Sequence, residues 1–227
     1  MSAIETPREI FLDACEKVAA SLAPFAFKYT RSRQCARRSH GDFDYRVSFQ
    51  SSHLNVGGHY VALWIHATVS SRRLESWRSA QSRCLILGGA VAGGQIGNLL
   101  RPHSWRDWNL ALAPEVVIAD AISAVHAIAV PFFERFSDVP TLCSLLQREE
   151  LPGFHISRAL EFLLCFDDRE AAEQALHSFF RSRAELLPEY RHYLLEFTDR
   201  GLPAIPRTGF AYELAFSTVA FGLAPPK

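Results

Sequence analysis

The side chains with most chemistry to offer are nine histidines and five cysteines in a chain of 227 residues. Zinc needs three or four converging ligands, commonly two of them close in sequence. His53, His59 and His66 follow one another at six and seven residues, with no Cys, Asp or Glu between 51 and 70. No metal site and no cofactor are expected from that spacing. The cysteines (15, 35, 84, 143, 165) are odd in number and form no CxxC pair, so neither a zinc knuckle nor a disulfide framework is indicated. Cys35 with His40 is the only local thiol–imidazole pair, and a lone cysteine more often packs as a small hydrophobe than acts as a nucleophile. Residues 84–100, CLILGGAVAGGQIGNLL, are glycine-rich. Gly88 and Gly93 are followed by Gly94 and Gln95, without the lysine and hydroxyl a phosphate loop needs. GxSxG and GxGxxG are absent, and the only acids near the central strands, Asp42 and Asp44, flank a turn. A carboxylate pair formed in space is invisible to this reading, so an enzyme of unknown reaction stays open as an alternative.

Binding residues stand out more than catalytic ones. Between Glu16 and Asp42 there is no acid, while Lys17, Lys28, Arg31, Arg33, Arg37 and Arg38 accompany Phe25, Phe27 and Tyr29. Cations interleaved with aromatics suit stacking and phosphate contacts to a single strand. They equally suit an edge strand guarded against aggregation. A nucleic-acid module using Arg31, Arg33, Arg37, Arg38 and Arg46 is therefore an alternative. The pair Trp105 and Trp108, with Arg106 and Asp107 between, could lid a sheet or form a recognition patch. The polar rim of the central strands adds Arg46, Gln50 and His53. The candidate binding set is Arg46, Gln50, His53, Trp105 and Trp108; the catalytic set is empty.

The elements that must position these residues centre on 43–69. Phe43, Tyr45, Val47 and Phe49 alternate with Asp44, Arg46, Ser48 and Gln50, and Val61, Leu63, Ile65, Ala67 and Val69 form a second apolar comb. Period two predicts two strands with one buried and one wet face, joined through SSHLNVGGH. Thr6-Pro7-Arg8-Glu9 opens a helix over 6–22, with a face of Ile10, Phe11, Ala14, Val18 and Leu22 for the sheet. FAFKYTRSR reads as a strand with a short return, SSRRLESWRSAQS as helix-compatible, and 84–100 as a bent or bulged strand. From Pro114 the stripe Val117, Ile118, Ala121, Ile122, Val125, Ile128 predicts a helix that Pro131 kinks or ends. A short element surrounds Leu142, Leu145 and Leu146. Residues 156–200 predict a helical block, 201–209 a loop, and 209–223 a last helix or strand. The class is α+β: an antiparallel four- to five-stranded sheet packed by an N-terminal helix over 1–137, then a helical module over 138–227.

Hydrophobic content of 48% supports a sizeable core. The glycine-broken apolar stretches fall short of a membrane span, and Glu5, Glu9, Asp13 and Glu16 argue against a signal peptide. With the unpaired cysteines this gives a cytoplasmic expectation. The zero net charge hides an asymmetry: residues 1–109 hold 14 Lys/Arg against 8 Asp/Glu, and 110–227 hold 10 against 16. Either the halves complement each other, or a basic surface receives an acidic partner.

From about 20 to 110 the order of signals resembles a bacterial family known as domain-of-unknown-function family 4304. The residues that carry it are Leu22, Phe25, Phe27 and Lys28, then Val47-Ser48-Phe49-Gln50-Ser51-Ser52, the strand Tyr60–Val69, Gln95-Ile96-Gly97-Asn98-Leu99-Leu100, and Trp105 with Trp108. The resemblance implies a helix packed on an antiparallel sheet and no activity. Relatives of this kind occur in bacterial gene clusters where small proteins neutralise toxins, which implies an immunity-type protein binder. The helical extension after 137 departs from the family.

Overall fold

A computed structural model describes residues 6–148, 151–204 and 207–226. Glu5 therefore lies outside the described residues, as do Ile205 and Pro206 of the expected loop. The fold is α+β with an antiparallel sheet, an N-terminal helix and a C-terminal helical region, as the alternation and the helical stripes require. Contacts divide the chain into two compact units, Met1–Val69 with Gly93–Arg135, and Ser70–Ala92 with Phe136–Lys227. The last of the three junctions, Arg135–Phe136, lies near residue 137, while Ser70–Ala92 groups with the helical region.

In the first unit, helix α1 (Pro7–Ala20) opens with the full capping box: Thr6 accepts from Glu9 N–H and the Glu9 carboxylate accepts from Thr6 N–H at 2.8 Å. Phe11, Ala14, Cys15 and Val18 are buried on α1, and Leu22 just after it. The sheet runs β1 (Lys28–Thr30), β2 (Cys35–His40), β3 (Phe43–Gln50), β4 (Ala62–Ser71), β5 (Ala90–Gln95), with the short β6 (Trp108–Asn109) also on β4. The return expected after FAFKYTRSR is itself a strand. A 3-10 turn at Arg31–Arg33 closes with Gln34 at φ 46°, and β1 and β2 pair antiparallel around it. Along β3 burial alternates strictly, with Phe43, Tyr45, Val47 and Phe49 inward. The glycine-rich stretch supplies β5, where Gly93 takes φ 135° and passes so close to the Ala67 carbonyl and Thr68 Cα that no Cβ fits.

Helix α3 (Pro114–Ala124) does not stop before Pro131. It widens into a π turn, Val125–Ala129, and continues as α4 (Val130–Glu134) with Pro131 in its first turn. The wider turn accommodates a residue that has no N–H for an i→i−4 bond, so the helix is adjusted rather than ended. By length and composition alone Pro114–Ser137 could cross a membrane, which the reading of glycine-broken segments overlooked. Half of its most apolar window is buried within the protein, and α3 packs on α1.

The second unit is helical. Helix α2 (Arg72–Ala80) is capped by Ser71 and packs on α6 (Ile156–Phe166). With them stand α5 (Val139–Leu146), α7 (Arg169–Ser182), α8 (Leu187–Arg200) and α9 (Phe210–Phe221), which settles 209–223 as helix. Asp138 and Asp168 cap α5 and α7. Aromatic contacts knit α8 to α9, with Phe197 and Tyr212 at 5.1 Å.

A buried ion pair lies within this unit. Arg78 Nε donates to Glu161 Oε2 at 2.6 Å, with side chains 2% and 0% exposed. Arg78 Nη1 also donates to Gly88 O and Ala90 O, tying the start of β5 and its approach to α2. Burial pushes the Glu161 carboxyl above its usual range, and Arg78 pulls it back. Arg78→Ala should cost about 3–5 kcal/mol, since it strands a buried carboxylate. The stranded carboxyl takes up a proton more readily than in the wild type, so the deficit should shrink as pH falls from 8 towards 5. Chemical denaturation of both proteins at the two pH values measures it.

Candidate functional site: the polar face of the sheet

The polar comb of β3 and β4 carries the candidate site. Arg46 and Gln50 point out of β3 and are exposed; Trp64 and His66 stand half-buried on β4. His53 lies exposed in the turn that follows β3. The two tryptophans of HSWRDW separate. Trp108, in β6 opposite Leu63, is buried, and its Nε1 donates to Asp120 at 2.7 Å. It is a core side chain whose polar handle is satisfied, not part of an exposed patch. Trp105 is 55% exposed, with its ring edge-on to Trp64 at 5.7 Å and to His66 at 6.1 Å.

This aromatic group is anchored by one carboxylate. Trp64 Nε1 donates to Asp107 Oδ1 at 2.9 Å, and Tyr60 OH donates to Asp107 Oδ2 at 2.6 Å. One carboxylate thus orients two rings from β4 and its approach. The segment bearing Trp105 is held separately. Gln95 donates to Arg106 O at 2.6 Å and accepts from Gly97 N–H at 2.8 Å, while Ser104 N–H donates to Gly97 O at 3.3 Å. A Cβ on Gly97 would overlap the Ser104 carbonyl, so glycine is required where the two passes of chain meet. Burial lowers the His66 pKa below its ordinary value, so its imidazole is neutral near pH 7.

The strand register adds a feature that the sequence did not disclose. Lys28 pairs with Arg37, and Arg37 with Arg46, so three cations stand in one row across β1, β2 and β3. Directly opposed like charges destabilise a sheet. Among the described residues none of the three has an acidic partner. Two of the five arginines considered for nucleic acid are already engaged. Arg31 pairs with Glu16 at 2.9 Å, and Arg38 lies over the rings of Tyr45 and Phe27 at 4.7 and 5.2 Å while donating to Phe25 O. Arg33, Arg37 and Arg46 remain.

The other chemistries find little geometry. Among the described residues no three His, Cys, Asp or Glu side chains gather as a metal site. Cys35 and His40 sit at opposite ends of β2, about 16 Å apart by strand rise. Burial pushes the Cys84 and Cys143 thiols up to about 11 and about 12, away from the thiolate a nucleophile needs. His155, Ser157 and Glu213 share a cluster in the second unit that the sequence reading missed, since 56 residues separate Ser157 from Glu213. It has the residue types of a hydrolase triad in the wrong order. Ser157 donates straight to Glu213 at 2.6 Å, and His155 Nδ1 lies 3.5 Å from the same oxygen, so the imidazole does not stand between hydroxyl and carboxylate as a triad requires.

A search of protein-family models, of curated proteins and of solved structures finds no match to the chain.

The Asp107 anchor is testable. Burial first, then the Asp107 carboxylate, raises the Tyr60 phenol to about 12. In Asp107→Asn the negative charge is gone, so the Tyr60 pKa should fall and the Trp64 indole N–H resonance should shift. NMR-detected tyrosine titration measures the first, and an unchanged Tyr60 pKa would show that Asp107 does not fix this face.

Proposed function

We propose that the chain is a binding protein without catalytic chemistry of its own, and that the polar face of its sheet receives an acidic protein surface. The observation that carries this reading is Trp105, exposed yet held by Trp64, His66 and the Gln95–Gly97–Ser104 ties, on the same sheet face as the Lys28–Arg37–Arg46 row. Exposed tryptophan and arginine are the side chains that dominate interface energies, and a ring already fixed loses little entropy on docking. Unpaired cations steer an acidic partner into place. Immunity against a co-encoded toxin is the finer form of the proposal, supported by the resemblance over residues 20–110. Five unpaired thiols fit a protein acting in a reducing cytoplasm.

One observation favours a second reading. A cation row on one sheet face with a stackable indole also suits single-stranded nucleic acid. Salt dependence separates the two. If three cations meet phosphates, binding of a generic single-stranded RNA should weaken with a log–log salt slope of about −2. No binding at low salt would remove this reading. For a protein partner isolated from the native source, Trp105→Ala and Arg46→Glu should each weaken the measured affinity about tenfold or more. Undiminished affinity in both variants would overturn the proposed face.

A further inference from the structure

The second unit contains a cleft of about 940 Å3 that plays no part in the sheet face. Its apolar lining comes from Phe180, Ala184, Leu187 and Pro226; Arg148 and Arg181 are its cations, and His177 lines it beside them. The volume falls within the range of small-molecule sites, which are mostly apolar with a few placed polar groups. The walls are tied together. Ser178 Oγ donates to Arg148 O at 2.8 Å, which fixes the end of α5 on α7. His177 Nε2–H donates to Ala224 O at 3.1 Å, and Ala224 N–H donates to Glu173 Oε1 at 2.8 Å, which lays the C-terminal segment along α7. Those ties leave the guanidinium groups of Arg148 and Arg181 exposed at the rim, with no acidic partner among the described residues. Glu149 and Glu150, next in sequence to Arg148, lie outside the described residues.

Two guanidinium groups with no acidic partner among the described residues are unexpected here, because residues 110–227 hold 16 acids against 10 basic residues. Helix ends account for part of their placement, since cations suit the C-terminal turns of α5 and α7. They do not account for both flanking one apolar hollow. We propose that the cleft binds a small amphipathic anion, with an acyl carboxylate as the fitting chemistry. The acyl chain lies on Phe180, Leu187 and Pro226, and the carboxylate meets the planar forks of Arg148 and Arg181, which match its two oxygens.

Octanoate, kept below its micellar concentration, is the probe, with octanol as the uncharged control and the full chain as the protein. Calorimetry should show saturable octanoate binding, with NMR shifts centred on His177 and Ala184. Octanol should bind more weakly. The double variant Arg148→Ala/Arg181→Ala, whose side chains are exposed and whose melting should match the wild type, should weaken octanoate about tenfold or more. Absent saturation, equal affinity for octanol, or unchanged affinity in the double variant would each overturn the assignment.

Discussion

The alternation along β3 and β4 is the constraint on which the first unit depends. A strand side-chain period of two leaves no freedom. Once Tyr45, Val47, Leu63 and Ile65 are buried, Arg46, Ser48, Trp64 and His66 must face the other way. A large indole on that face needs a partner for its N–H and something to restrain its ring. Asp107 supplies the first and Trp105 the second. The ties from Gln95 and Gly97 then decide where Trp105 stands. The aromatic group is a consequence of strand register, one carboxylate and one close backbone approach.

The two units handle charge differently. In the second, Arg78 and Glu161 are almost fully removed from water and compensate each other, with two backbone carbonyls completing much of the arginine's requirement. Such a pair adds little net stability compared with apolar packing, but losing one partner is costly. In the first, Lys28, Arg37 and Arg46 oppose one another in a row, at a cost to the sheet. A row of that kind is hard to explain by folding and easy to explain by an anionic partner. The proposed function draws on that contrast.

Much of the fold was legible because it rests on local patterns. The capping box at Thr6–Glu9, the combs of β3 and β4, and the helical stripes after residue 156 each declare themselves within a few residues. Of the two outcomes expected at Pro131, the helix does not end, because the preceding turn widens. The site was legible in part. Arg46 and Trp105 were named and lie on one exposed face, whereas Trp108 carries the same residue type into the core because Asp120 meets its N–H. The cation row could not be read, since it needs the break between β1 and β2 at Gln34. The Arg78–Glu161 pair spans 83 residues, and nothing near either side chain points to the other.

The central claim is that Trp105 stands exposed on a cationic face. Collisional quenching of tryptophan fluorescence by iodide and by caesium tests it without knowledge of any partner. Anions concentrate at a positive surface and cations avoid it. Iodide should quench a fraction of the emission that caesium barely touches, and Trp105→Phe should remove most of that fraction. Equal quenching by the two ions, or an iodide-accessible fraction that survives in Trp105→Phe, would contradict the account.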